Sequence, residues 1–584
     1  MPLAGFISLA VTFVALVVSI GAFVIARFVT GAAQGVAKDT RARYATLASR
    51  VNLVAYIGIL TGVLALTFGC ALLIYCFVTG DASLAYVVKY QSNSSSSLAM
   101  LYKVAGLWGG REGSLLFWAW LIGLFAAIVA LKGIKRRQPL DNMALLIIQI
   151  VLLAFVIVLL FSESNMPFIP IDPGYLDAQG HLKDFSVLMR EYAEGAPGAV
   201  EPMAALGMSV LLEHWAMAIH PPTLFIGYAG LTVPFAYALA TLIVKDSTKR
   251  WVERATRYTL VSWVFLGIGI GLGAIWAYVV LGWGGYWGWD PVENASLLSW
   301  ILAVALVHCF TVYRQRGAFK RWSVMCACLA FAFVIVGTFI TRSGIVSSVH
   351  AFEGDPVSLV LFLVLIVASV LAGAVGLALR WKSFGAQDED AQMSDSLLSK
   401  GVAYYFNNVV LVVSACFILY LTIASALPTW MPFGGMSLSA STYNAIARPL
   451  GILYCLLMAV CPLLGWAKTD VRSFLKKARV PAVCALVAFA ALLVYFVTYL
   501  KPSYDAMVAL GGSRAHTMLE AGPAPYYFAL TLLGFLAAAL LFFNALFMLG
   551  KVIGAQAKAS KTNHFAAFFL ALRGRASQFG GFLA

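Results

Sequence analysis

The chain has 584 residues, of which 62% are hydrophobic and only 11% charged, and its formal net charge is +15. A soluble chain sits near half apolar and a quarter charged, so the composition excludes a string of soluble domains. It does not by itself exclude a basic nucleic-acid binder; the placement of the charge does.

Apolar runs of about 20 residues, each able to cross about 30 Å of hydrocarbon, recur along the chain. They predict thirteen spans, near 5–28, 52–78, 114–131, 143–162, 221–244, 258–281, 296–313, 322–341, 356–379, 403–426, 449–467, 482–500 and 526–549. The first run lacks a basic stretch before it and reads as a span, not as a cleavable leader. Connections on one side are basic, as in Lys135, Arg136 and Arg137 or Arg314, Arg316, Lys320 and Arg321, and that side holds 31 of the 40 Lys and Arg. The positive-inside rule makes it cytoplasmic, which puts the N-terminus outside and the C-terminus inside. The fold class expected is therefore all-α: a polytopic membrane protein of about thirteen transmembrane helices, N-terminus periplasmic and C-terminus cytoplasmic. Its divisions would be 1–85 (N-terminal helices), 86–313 (a tryptophan-rich handling domain) and 314–584 (a C-terminal membrane region).

Four outside segments are too long or too unusual for simple turns. The first, about 79–113, ends in Trp108-Gly109-Gly110-Arg111-Glu112-Gly113, and the second, about 163–220, ends in His220-Pro221-Pro222. The third, 282–295, crowds Trp283, Tyr286, Trp287 and Trp289 among Gly282, Gly284, Gly285 and Gly288. An aromatic belt at the headgroups is one reading. A platform for a flat ligand is the other, since glycines let a backbone come close. Asp290-Pro291-Val292-Glu293 then reads as a helix start, with Asp290 the N-cap, Pro291 the first helical residue and Glu293 closing a capping box.

His308, about twelve residues into its span, lies past the midplane, where an ionisable residue is a functional candidate or a neutral imidazole bonded to a neighbouring helix. The fourth outside segment, 342–355, begins at Arg342 and contains His350. Arg342 offers its charge to an anionic group or snorkels to the interface. His220 and His350 share one membrane face with the aromatic loop, and two imidazoles can clamp a haem iron. Read singly, each is more often a solvated residue; the shared face and the aromatic loop favour the pair. His181, His214, His516 and His564 fall in loops or tails. The nine cysteines lie in or beside apolar spans without CxxC, which argues against disulfide, zinc or covalent-haem roles. No Ser-His-Asp, Cys-His or paired-carboxylate set is present, so no catalytic acid or base is assigned.

The 282–295 loop resembles the tryptophan-rich "WWD" signature of the haem-handling cytochrome c assembly proteins. Trp108–Ser114 resembles their WGGHEGS segment with Arg111 at the histidine, and His220-Pro221-Pro222 and Val349-His350-Ala351 resemble their outside histidines. Together these motifs resemble the CcmF type (CcmF, CycK, NrfE), and CcsA proteins share the loop. The resemblance implies a haem lyase subunit of system I cytochrome c maturation in the bacterial inner membrane. It would hold b-type haem at the periplasmic face for attachment to the CxxCH thiols of apocytochrome c. It implies His220 and His350 as axial ligands, and Trp283, Gly284, Trp287, Trp289, Asp290 and Arg342 around the haem. His308 would be one ligand of a second, transmembrane haem. The implied partners are the haem chaperone CcmE and the presenting subunits CcmH and CcmI. The family's other ligand to the transmembrane haem would follow Ala584, on a further span or a second chain. Two rival readings are a quinol-linked b-type electron-transfer subunit, which leaves the aromatic loop unexplained, and a haem exporter, which would need polar groups along the spans.

Overall fold

In hydrocarbon every backbone N–H and C=O must be satisfied within its own segment, so uninterrupted apolar runs fold as helices. The computed structural model describes residues 1–34, 37–179, 182–201, 207–281, 285–348, 350, 352, 354–384, 396–520 and 522–574. Among them, thirteen helices are long and apolar enough to cross a membrane, as expected. No strand is present among the described residues beyond two isolated bridges, Leu84 with Pro170 and Leu176 with Leu182.

The helices in chain order are α1 (Pro2–Ala32), α2 (Lys38–Thr79), the short α3 (Ala85–Tyr90) and α4 (Ala99–Gly109), α5 (Arg111–Gly133), α6 (Pro139–Phe161), α7 (Phe185–Glu194), α8 (Trp215–Val244), α9 (Arg250–Trp276), α10 (Pro291–Arg316), α11 (Lys320–Ser343) and α12 (Pro356–Leu379). After them come α13 (Lys400–Thr422), α14 (Ala440–Val460), α15 (Val471–Tyr495), α16 (Lys501–Leu510), α17 (Ser513–Glu520), α18 (Ala524–Ser560) and α19 (His564–Gly574). The expected spans are confirmed, with one informative shift. His220-Pro221-Pro222, read as the end of a loop, lies inside α8. The prolines read as breakers because each removes a backbone N–H and so leaves one carbonyl a turn earlier without its helical donor.

Contacts divide the chain into two units: residues 1–386 with 414–436, and residues 387–413 with 437–584. In the first, small residues bring helices together, as membrane packing requires. A Cβ on Gly227 or Gly230 of α8 would lie 2.4 Å from Leu266 or 2.2 Å from the Ser262 hydroxyl of α9. Near the other ends of these helices Asp141 pairs with Arg254 at 3.2 Å and accepts the Tyr237 hydroxyl at 2.7 Å. Asp141 is 1% exposed, so a buried carboxylate ties α6 to Arg254 of α9 and to Tyr237 of α8. In the second unit, Asn544 of α18 donates to the Ala459 carbonyl of α14 at 3.1 Å. The candidate site residues all belong to the first unit.

Candidate functional site

Four backbone segments meet at one end of the first unit: the start of α8, the end of α9, the start of α10, and the segment after α11. The capping box expected at α10 is present. Asp290 accepts the Val292 N–H at 3.1 Å, and Glu293 accepts the N–H groups of Asp290 (3.2 Å) and Gly288 (3.0 Å). Asn294 holds the Trp289 carbonyl at 3.2 Å. Trp289 sits at φ 57°, a left-handed conformation that costs a bulky residue roughly 1–2 kcal/mol. The box and the Asn294 clamp over-determine that turn, and strain of this kind collects at functional sites. Trp287 and Trp289 meet edge to face at 6.1 Å, while Tyr278 and Tyr286 stack at 4.5 Å across the base of the loop. The Trp287 indole N–H is buried with no hydrogen-bond partner among the described residues. Trp283 and Gly284 lie outside the described residues.

Asp290 does more than cap. Its Oδ2 accepts the Ser348 hydroxyl at 2.6 Å and lies 3.0 Å from His350 Nδ1. Ser348 in turn accepts the His350 backbone N–H at 3.0 Å. Burial pushes the Asp290 carboxyl up. The bonds from His350, Ser348 and the Val292 N–H more than offset that and hold it below the usual carboxylate range. An ionised carboxylate only accepts, so Nδ1 of His350 is the nitrogen that donates to it. The ring also meets Trp276, the last residue of α9, at 5.7 Å.

His220 is held differently. Its Nδ1 lies 2.7 Å from the Gly269 carbonyl of α9, so here too Nδ1 is the donor. Its ring lies against Gly273, where a Cβ would come within 2.6 Å of Cε1. Gly269, Gly273 and Trp276 are spaced four and three apart and form one stripe of α9. The two imidazoles are therefore seated on one helix face, with their contact residues Gly273 and Trp276 about 4.5 Å apart along the axis.

The Trp108–Ser114 segment braces this end. Tyr86 donates to the Gly106 carbonyl at 2.8 Å and accepts the Gly110 N–H at 3.1 Å; the rings of Tyr90 and Tyr86 press on Gly110, and the Leu107 carbonyl and Tyr86 on Gly113, so closely that neither tolerates a Cβ. Trp108 packs on Tyr102, Ala105 and Ala218, two residues before His220. Arg342 is 3% exposed and does not snorkel. It donates to the Arg111 carbonyl and the Ser114 hydroxyl, both at 2.9 Å, and to Asn165 Oδ1 at 3.3 Å. Asn165 passes the charge on by donating to Asp355 at 2.7 Å. The guanidinium that the sequence offered to an anion is thus engaged by protein acceptors.

His308 stands apart, half-buried on α10 seventeen residues beyond Pro291, next to Cys309, whose sulfur is 3.9 Å from that of Cys326. Among the described residues no other histidine lies mid-span. Gly269, Gly273, Trp276 and Ser348 were not singled out from sequence. The alternate glycines at 267, 269, 271 and 273 were the available signal, but without a partner helix they do not say which face is occupied.

The sequence model of a family described as "Cytochrome C assembly protein" matches residues 108–346. The chain is 34% identical over 452 residues to the Cytochrome c-type biogenesis protein ccl1 of Rhodobacter capsulatus, covering 77% of this chain and 62% of the relative. It is 35% identical to CcmF of Pseudomonas fluorescens (69% and 56%) and 34% identical to NrfE of Haemophilus influenzae (68% and 57%). The chain thus spans about three fifths of the length of these curated relatives. A solved structure, "Cytochrome c Heme Lyase CcmF", shares the fold with a TM-score of 0.61 at 24% identity, over 95% of this chain and 77% of that one. The tryptophan-rich loop and both anchored histidines lie inside the matched region or within four residues of its end, so it is the site-bearing part of this chain that matches the cytochrome c assembly protein family.

Proposed function

We propose that this protein is the haem lyase subunit of a system I cytochrome c maturation complex. It holds haem between His220 and His350 at the outer face of the bacterial inner membrane. The observation that carries the reading is the pair of imidazoles on one stripe of α9, each anchored through Nδ1 to a protein oxygen, as iron- and zinc-ligating histidines are. The tryptophans of the 285–290 segment suit a flat macrocycle, and the orphan Trp287 N–H suits a propionate oxygen. Trp283 and Gly284 are assigned to the same site by the motif that they belong to, and Arg342 fixes the bracing segment. The excess of basic residues on the opposite connections supports an outside N-terminus and an inside C-terminus.

Haem is the substrate. Each thioether forms when a cysteine S–H adds across a vinyl group: a C–S bond is made, the thiol proton ends on the other vinyl carbon, and nothing is oxidised. The reactivity belongs to the thiolate and the vinyl group. The protein supplies proximity and orientation. Haem would arrive from the chaperone CcmE, and apocytochrome c would be presented by CcmH and CcmI-type subunits. His308 would contribute one ligand to a second, transmembrane b-haem whose other ligand comes from a further span or a second chain.

The test is the optical spectrum of the full chain purified with haem, wild type against His220→Ala/His350→Ala. The double variant should lose the haem bound at this site. An unchanged haem content and Soret band would refute the assignment.

A further inference from the structure

Resting on that site, we propose that its two histidines are unequal ligands: His350, backed by the Asp290 carboxylate, is retained, and His220 is the one that yields to the incoming CxxCH histidine.

The anchors differ in kind. His220 donates Nδ1–H to a neutral peptide carbonyl, whereas His350 donates it to a carboxylate. A carboxylate draws the proton towards itself and raises the basicity of the opposite nitrogen, as in the carboxylate–histidine–metal triads. A charge-assisted bond is also roughly twice as strong as a neutral one. The carboxylate is itself fixed, because the Val292 N–H and the Ser348 hydroxyl hold the oxygen that His350 uses. Ser348 closes the ring by accepting the His350 backbone N–H.

The elements carrying the two rings point the same way. Pro221 and Pro222 follow His220 directly within α8. They deprive the Met217 and Ala218 carbonyls of their helical donors, so the turn that presents His220 is the less tightly held part of α8. Rotation of that turn costs one short bond to Gly269. Withdrawing His350 means breaking a charged bond tied to the capping box of α10. Asp290 is therefore a positioning residue, acting on the haem through His350.

The experiment follows haem loss from the purified, haem-loaded full chain to excess apomyoglobin, in a His308→Ala background so that one site reports. His350→Ala should lose haem at least about tenfold faster than His220→Ala, the scale of second-shell effects on metal affinity. Asp290→Asn preserves the cap, since Asn caps as well as Asp. It should speed loss about 10–100-fold in the His220→Ala background, where His350 is the sole ligand, and leave the His350→Ala background nearly unchanged. The iron–histidine stretch of the ferrous protein should be higher in His220→Ala than in His350→Ala and should fall with Asp290→Asn. Equal losses from the two single variants, or faster loss from His220→Ala, overturn the ranking. An equal effect of Asp290→Asn in both backgrounds reduces Asp290 to a helix cap and also overturns it. Haem that never binds the wild-type chain at this site would instead refute the site itself.

Discussion

Two aspartates, Asp290 and Asp355, each cap a helix at the same end of the first unit, α10 and α12, and each gathers serine hydroxyls, yet they keep different company. Asp355 is turned entirely inward. It accepts the Ser164 hydroxyl at 2.9 Å, Asn165 Nδ2 at 2.7 Å and the Ser358 N–H at 2.8 Å, and Asn165 links it to the buried Arg342. Asp290 accepts a ring whose side chain is still 23% exposed. Burial raises both carboxyls and hydrogen bonds offset it. In Asp355, bonds from Ser358, Ser164 and Asn165 pull it down to about 2. On the function proposed above, the same motif serves architecture where every partner is internal and a ligand where one partner is a partly exposed imidazole.

The comparison predicts unequal damage. Asp355→Ala removes the carboxylate that accepts from Asn165, Ser164 and the Ser358 N–H, and one of the opposite charges near the buried Arg342 guanidinium, so it should destabilise the fold by about 3–5 kcal/mol. Thermal unfolding in detergent checks this, and a melting temperature close to wild type would show that the network is dispensable. Gly273→Ala places a Cβ 2.6 Å from the His220 ring. It should abolish the low-spin haem signature while costing the fold only about 1–3 kcal/mol of overpacking. Retained low-spin haem would mean that the ring is not seated on α9.

Acid should separate the pair more gently. A carboxyl whose folded pKa lies below its unfolded value of about 3.9 stabilises above that value and loses the effect as pH falls through the folded one. The Asp355 contribution should therefore persist to about pH 4 and fade towards pH 2, and Asp355→Asn should flatten that slope in melting curves. Trp289→Gly should have the smallest effect on the fold. It relieves about 1 kcal/mol of left-handed strain, so the melting temperature should hold or rise while haem binding weakens. A fall in both would make Trp289 a packing residue only.

Much of this was legible in the sequence because single segments carried it. Hydropathy gave the spans, and Asp290-Pro291-Val292-Glu293 gave the capping box without any knowledge of its neighbours. His220 and His350 were legible as candidates sharing a face. Their anchors were not, because Gly269 lies 49 residues and Asp290 60 residues away along the chain. Arg342 misled for a related reason. A cation at a span end suggests an anion or the interface, and nothing local reveals that Asn165 and the Arg111 carbonyl converge on it.

If His220 and His350 hold one and the same iron, electron paramagnetic resonance of the ferric full chain in a His308→Ala background will show it. The expected signal is low-spin and bis-histidine; it becomes high-spin in each single variant, His220→Ala and His350→Ala, and returns to low-spin in both when imidazole is added. A low-spin signal that survives either substitution unchanged would contradict it.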